Sequence, residues 1–225
     1  MDLLILCGGM ATRLGEITAR TPKILVEVAG RPLLYYLLAT YVPHFERIFL
    51  LSGHLGSQLL LYATPQLRVV VEPERLDTGG AVLNILGEVS EQFAVVNGDT
   101  YFEGLDLADI CRTAPRDAGL IVVTPGDCSC GGCVEMDGDR VLAFHEKTKT
   151  GPGDLYSGFG VFSRRLLGHY ERGRVSLERV ILPDLVSRGL LVAYRAEELQ
   201  MFDIGTPERL DRFSDHIESQ SRSER

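Results

Sequence analysis

The chain has 225 residues, 45% of them hydrophobic and 24% charged, with a formal net charge of −8. That length and mix suit one α/β domain with a sizeable core, leaving room for a small appended subdomain. The negative balance argues against nucleic acid as a partner, because no basic field exists to release counterions, so any anionic ligand must be held by a few placed cations.

The first apolar run, Leu3-Leu4-Ile5-Leu6, is long enough for one buried strand and is bounded at once by Gly8 and Gly9. Glycines let the backbone turn sharply and bring its N–H groups close to a ligand. Thr12, Arg13 and Lys23 add a hydroxyl and two cations to the same neighbourhood. On residue chemistry alone, a loop that wraps a polyphosphate and a plain strand-to-helix turn with solvated cations stand level. Pro32 then opens a helical run, Leu33 to Tyr41, and Arg47 to Gly53 reads as a second strand ending in a turn glycine. Gly56 to Ala63 is predicted helical and Arg68 to Glu72 a third strand. Alternation of strands and helices implies a doubly wound, mostly parallel mixed sheet, whose ligand sits beyond the carboxyl ends of the strands.

The third strand leads into Glu72-Pro73-Glu74-Arg75-Leu76-Asp77-Thr78-Gly79-Gly80-Ala81. Its glycine pair before a helix over 81–86 can offer bare N–H groups to a flat ring, or simply start a helix. Phe93 to Thr100 is a buried strand that ends in Asn97-Gly98-Asp99. A carboxylate there suits Mg²⁺, a hard cation that takes oxygen ligands, although a turn former or helix cap is the commoner use of such an aspartate. Gly119 to Thr124 is a further strand. Cys128, Cys130 and Cys133 lack a fourth ligand at zinc-site spacing and read as a flexible loop. The five cysteines, an odd number, and the absence of a signal-like start point to a reduced, cytoplasmic protein. The longest apolar stretch, Leu33 to Val42, falls short of the ~20 residues that span a bilayer, so no membrane partner is expected.

Val134 to Val141 carries an Asp-Gly hairpin signal, and its second strand runs into Glu146-Lys147, a carboxylate beside an ammonium. Residues 148–154 form a Gly/Pro-rich loop, Ser157 to Phe162 a glycine-punctuated strand, and Ser176 to Arg188 a core helix with Leu177, Val180, Ile181, Leu185 and Val186 on one face. Thr206 caps a helix begun by Pro207, just after Asp203 at a strand end. Residues 214–225 read as a frayed polar tail after a single domain over 1–213.

Taken in order, G-G-x-x-T-R-L with P-K, the E-P segment, N-G-D, E-K and D-I-G-T-P-E resemble the landmarks of the sugar-1-phosphate nucleotidyltransferases. The S-L-E-x-x-I-L-P stretch and the closing F-D-I-G-T-P-E are most similar to the heptose- and mannose-1-phosphate guanylyltransferases. The resemblance implies a Rossmann-like nucleotidyltransferase fold with a small sugar-binding β-hairpin region. It implies transfer of a nucleotidyl group from a nucleoside triphosphate, GTP by preference, to a sugar 1-phosphate; cytidylyl-, uridylyl- and thymidylyltransferases acting on other sugar phosphates share the same motifs and stay open. By it, Arg13 and Lys23 are catalytic, and Leu6, Gly8, Gly9, Thr12, Thr78, Gly79, Gly80, Asn97 and Gly98 bind nucleotide. Glu146, Lys147, Ser157 and Gly158 bind the sugar phosphate, and Asp99 and Asp203 hold Mg²⁺. A homo-oligomer stays open. Ala11, Asp77 and Ser157 depart from the family's usual Gly, Gly and Asn. A glycosyltransferase would show a D-x-D pair in place of N-G-D, and a dinucleotide-binding oxidoreductase would need G-x-G-x-x-G. A non-catalytic sensor would lack the loop cations.

Overall fold

The computed structural model describes residues 1–9 and 12–223. In chain order the strands are β1 (Asp2–Leu6), β2 (Glu27–Val28), β3 (Arg31–Pro32), β4 (Arg47–Ser52), β5 (Leu67–Val71), β6 (Gln92–Asn97) and β7 (Thr100–Glu103). They continue with β8 (Gly119–Asp127), β9 (Gly132–Asp137), β10 (Arg140–Glu146), β11 (Pro152–Ser163), β12 (Leu191–Arg195) and β13 (Gln200–Asp203). The helices are α1 (Leu33–Tyr41), α2 (Asp77–Asn84), α3 (Leu107–Thr113), α4 (Arg164–Leu167), α5 (Leu182–Ser187) and α6 (Pro207–Ser223).

Nine of these strands form one sheet in the order β5-β4-β1-β6-β11-β8-β12-β10-β9. Beyond Asp2, β1 is apolar from Leu3 to Leu6 because both of its faces are covered. Leu3 and Ile5 belong to the core that includes Leu33, Leu34 and Leu37 of α1 and Phe213 of α6. Leu4 points into the opposite core, with Ala81 to Leu83 of α2 and Leu182 and Leu185 of α5. The pairings β5–β4, β4–β1, β1–β6 and β12–β8 are parallel. β11 runs antiparallel to both β6 and β8, and β10 to both β12 and β9. With the further antiparallel pairing of β11 with β9, the sheet has four parallel and five antiparallel pairings among the described residues and is not mostly parallel. The reason is that β11 enters directly from the hairpin side, without a helical crossover to reverse its direction. Two short ribbons, β2–β3 and β7–β13, stand apart from the large sheet.

Several segments differ from expectation. Residues 152–154 belong to β11 rather than to a loop, where Asp154 and Leu155 pair with Val134 and Cys133 of β9. Cys128 and Cys133 are joined in a disulfide, with Cα atoms 5.2 Å apart. They are not free thiols on a loose loop, and the segment is tied to the start of β9. Residues 177–181 form a π-helical turn ahead of α5. The extra residue in that turn rotates the apolar face, so Val180 is exposed while Leu182 is buried. The supposed frayed tail is helix through Ser223. Its apolar residues recur at Leu210, Phe213 and Ile217, a helical stripe buried against the core. Among the described residues, no helix is long and apolar enough to cross a membrane.

Candidate active site

β1, β4 and β6 end level with one another, with Leu6 opposite both Leu51 and Asn97. Beyond those ends opens a cavity of about 1070 Å³, on the side where doubly wound sheets place their ligands. Leu6, Gly8, Gly9, Asn97 and Gly98 all line it. A Cβ at Gly8 would lie 3.3 Å from the Gly53 nitrogen, so the loops after β1 and β4 meet backbone to backbone. Gly98 donates its N–H to the Leu6 carbonyl at 2.8 Å. A Cβ there would stand 2.9 Å from that same oxygen, which leaves glycine as the residue that fits. Arg13 and Lys23 also line the cavity. Ala11 and the Thr12 side chain lie outside the described residues.

The two aspartates picked out in the sequence, more than a hundred positions apart, are neighbours. Asp203 pairs with Thr100 across the β13–β7 ribbon, and the N–H of Ile204 donates to the Asp99 carbonyl at 2.8 Å. Lys23 Nζ donates to Asp99 Oδ2 at 2.7 Å, and Arg209 pairs with Asp203 Oδ2. The other Asp203 oxygen, Oδ1, is buried and accepts no hydrogen bond among the described residues. A buried carboxylate oxygen without a partner is costly. Both aspartates face the cavity, and a hard divalent cation fits this donor set, since such ions take one or two carboxylates together with substrate phosphates. Gly205 makes the arrangement possible. A Cβ there would come 2.7 Å from Asp203 Oδ1 and 2.8 Å from Arg13 Nη2, so both groups converge on the space a side chain would fill.

The far wall comes from the antiparallel half of the sheet. Glu146 closes β10, opposite Gly132 of β9, and Lys147 follows it, the two standing 3.5 Å apart across their ion pair. Lys147 has a φ of 55°, a conformation uncommon outside glycine. Ser157 and Gly158 sit where the β11–β8 pairing shifts register between Tyr156 and Gly160. Gly158 has a φ of 88°, and a Cβ on it would strike the Asn97 side-chain nitrogen at 2.5 Å. All four residues line the cavity.

Of the E-P segment, Thr78 reaches the cavity but Gly79 and Gly80 do not. These two glycines pack α2 against the chain at 173–181 instead of meeting a flat ring. A Cβ at Gly80 would lie 2.2 Å from the Gly173 carbonyl, and one at Gly79 would lie 2.8 Å from the Ile181 side chain. The Gly80 N–H is not bare either, since it donates to Val175 O at 2.9 Å. Thr78 Oγ1 donates to Glu178 Oε2 at 2.6 Å and accepts from the Leu177 N–H at 2.9 Å.

Several cavity residues are not evident from sequence. Glu72 lines the cavity, and burial holds its carboxyl above the usual carboxylate range against the pull of the Leu76 N–H. Glu178 belongs to the S-L-E-x-x-I-L-P stretch, where nothing in the sequence singles out its side chain, and Arg174 precedes that stretch outside any motif. Arg209 was within reach, because a helix capped by Thr206 places it in the first turn, above Asp203. Asp77 has a φ of 57°, which accounts for glycine being the usual residue at this position.

A model of the MobA-like NTP transferase domain matches residues 3–173. Mannose-1-phosphate guanylyltransferase of Mycobacterium tuberculosis is 35% identical over 227 residues, which is 92% of this chain and 62% of that protein. The mannose-1-phosphate guanylyltransferase catalytic subunit beta of Danio rerio is 29% identical over 223 residues, again 92% of this chain and 62% of the relative. The chain thus spans about three fifths of the length of these curated relatives. Among solved structures, HddC from Yersinia pseudotuberculosis complexed with GMP-PN superposes with a TM-score of 0.82 at 28% identity, covering 96% of this chain and 99% of that one. The inositol-1-phosphate CTP transferase from T. maritima, at 18% identity and a TM-score of 0.80, covers 96% of this chain and 95% of its own and shares the fold.

Proposed function

We propose, because the chain belongs to the MobA-like NTP transferase family, that it transfers a nucleotidyl group from a nucleoside triphosphate to a sugar 1-phosphate. GTP is the favoured donor and a mannose- or heptose-type sugar phosphate the favoured acceptor. Support for that preference comes from the guanylyltransferase names of the relatives and from the nucleotide held by HddC. The observation that carries the reading is the meeting of Asp99 and Asp203 at one edge of a cavity that also receives Arg13 and Lys23.

In the proposed reaction an acceptor phosphate oxygen attacks the α-phosphorus in line, and pyrophosphate leaves. That oxygen is already largely ionised near neutral pH, so no side chain is needed to remove a proton. Positioning and charge neutralisation then carry most of the acceleration. Gly8 and Gly9 would let the loop close around the triphosphate, and Arg13 would neutralise charge on the departing pyrophosphate. Lys23 would bridge phosphate oxygens at the reacting centre, leaving Asp99 to do so. Thr78, Asn97 and Gly98 would orient the nucleotide. Glu146, Lys147, Ser157 and Gly158, presented by the hairpin and β11, would hold the sugar phosphate. Asp99 and Asp203 would hold Mg²⁺, which when bound supplies positive charge to the phosphate oxygens.

Pyrophosphate release, measured across four triphosphates and a set of sugar 1-phosphates, tests the reading. The highest rate is expected with GTP and mannose or heptose 1-phosphate. Asp203→Asn and Arg13→Ala should each cost on the order of 3 kcal/mol in the barrier, a hundredfold or more in rate, with melting unchanged. Near-wild-type rates in both variants would remove these assignments.

A further inference from the structure

Asp77 stands in the left-handed region, with a φ of 57°, where a side chain is strained and glycine is at ease. No helix-capping bond explains it, since α2 begins without a side-chain cap. What the carboxylate does is hold two arginines. Oδ1 accepts from Arg75 Nε at 2.8 Å and Oδ2 from Arg174 Nε at 2.7 Å. All three residues line the same cavity. The two guanidinium side chains are 65% and 61% exposed, while Asp77 lies lower at 25%.

Each arginine gives the carboxylate its Nε alone, so the terminal N–H groups of both have no hydrogen-bond partner among the described residues. Exposed ion pairs of this kind contribute little and are easily exchanged. A phosphate group is a strong alternative acceptor, because its oxygens match the guanidinium fork. Three other carboxylates on the cavity wall follow a related pattern, whereas Glu72 and Glu178 accept from a backbone N–H and from hydroxyls. Asp99 holds Lys23, Asp203 holds Arg209 and Glu146 holds Lys147. Asp77 differs from them in occupying two cations at once and in doing so from a strained backbone.

We propose that Asp77 is a built-in competitor for phosphate, occupying Arg75 and Arg174 in the free protein and giving them up when a phosphate group enters the cavity. The carboxylate thereby sets how tightly anionic substrates and products are held. The competition depends on the cavity alone, and rests on the nucleotidyl-transfer reading only for which molecule carries the phosphate.

Titration calorimetry of inorganic phosphate and pyrophosphate, without divalent metal and at two salt concentrations, tests the proposal on the wild type, Asp77→Gly and Asp77→Asn. Both variants should bind about tenfold more tightly, the worth of one unit charge a few ångströms away in a partly screened site. Their affinity should also fall more steeply with salt. Unchanged or weaker binding in both variants would overturn the proposal and make the carboxylate a brace for the arginines. Tightening in Asp77→Gly alone would overturn it too, since that pattern belongs to relief of the backbone and not to charge. If Asp77→Gly fails to fold, Asp77→Asn alone decides. Absence of pyrophosphate release with every triphosphate would remove the proposed reaction yet leave the tightening in place.

Discussion

Gly205 is the position where a single methyl group should separate activity from stability. Its added carbon would crowd Asp203 Oδ1 at 2.7 Å and Arg13 Nη2 at 2.8 Å, both of them the free ends of side chains that can swing aside. Gly205→Ala should therefore melt within about 2 °C of the wild type, while pyrophosphate release falls at least tenfold, because displacements near 1 Å at a reacting centre cost about that much or more. A melting temperature lowered by more than that, or an unchanged rate, would show that the glycine serves the fold instead. The D-I-G-T-P-E stretch marks this neighbourhood in the bare sequence, but which two groups the glycine accommodates depends on Arg13, almost two hundred residues earlier. Gly79 and Gly80 show the converse. In sequence they are indistinguishable from the Gly8-Gly9 pair, and only the approach of the Gly173 carbonyl reveals that they serve packing.

The clamp between α2 and the 173–181 segment carries the next expectation. Val175 donates to Leu76 O at 3.0 Å and receives the Gly80 N–H in return, so the helix start and the π-helical turn are fastened at close range. Gly80→Ala would drive a carbon to 2.2 Å from a backbone carbonyl that has no free end to move. Overpacking of this sort costs 1–3 kcal/mol, which outweighs the ~1 kcal/mol that alanine gains in a helix. A net loss of about 1–2 kcal/mol is expected by denaturant titration, whereas Gly87→Ala, with open space around its Cα, should cost far less. Equal effects at the two sites would refute the clamp. Here periodicity was informative only to a point. Ser176 to Arg188 reads as helical, but the π-helical turn that exposes Val180 leaves no trace in residue spacing. α6 shows the reverse case, since its stripe of Leu210, Phe213 and Ile217 is periodic, and polar neighbours conceal it in composition.

Across the molecule, the parallel strands and the side on which the cavity opens follow from the alternation of apolar runs, which physical chemistry ties to a doubly wound sheet. The direction of β11 does not, because a run buried on both faces reads alike either way. The same burial explains Asp2, a fully buried carboxylate at the foot of β1. It accepts from Arg47 Nε at 3.0 Å and from the Ser90 N–H at 2.7 Å, joining three segments distant in sequence. Burial pushes its carboxyl upward, but these bonds outweigh that and hold it below the ordinary range. A depressed value in the folded state means that the stabilisation is fully present above the unfolded value of about 3.9 and is lost as pH falls through the folded one. Asp2→Asn should therefore cost about 2 kcal/mol at pH 7, and the gap to wild type should close in acid below pH ~4. A gap independent of pH would show that the amide disturbs packing and not charge.

The β7–β13 ribbon has a consequence for biosynthesis. A nascent chain that stops short of β13 already holds Arg13, Lys23 and Asp99 but not Asp203. The ribosome therefore delivers the cations and one acid well before the second acid, and the cavity cannot be completed until residue 203 has been made and paired.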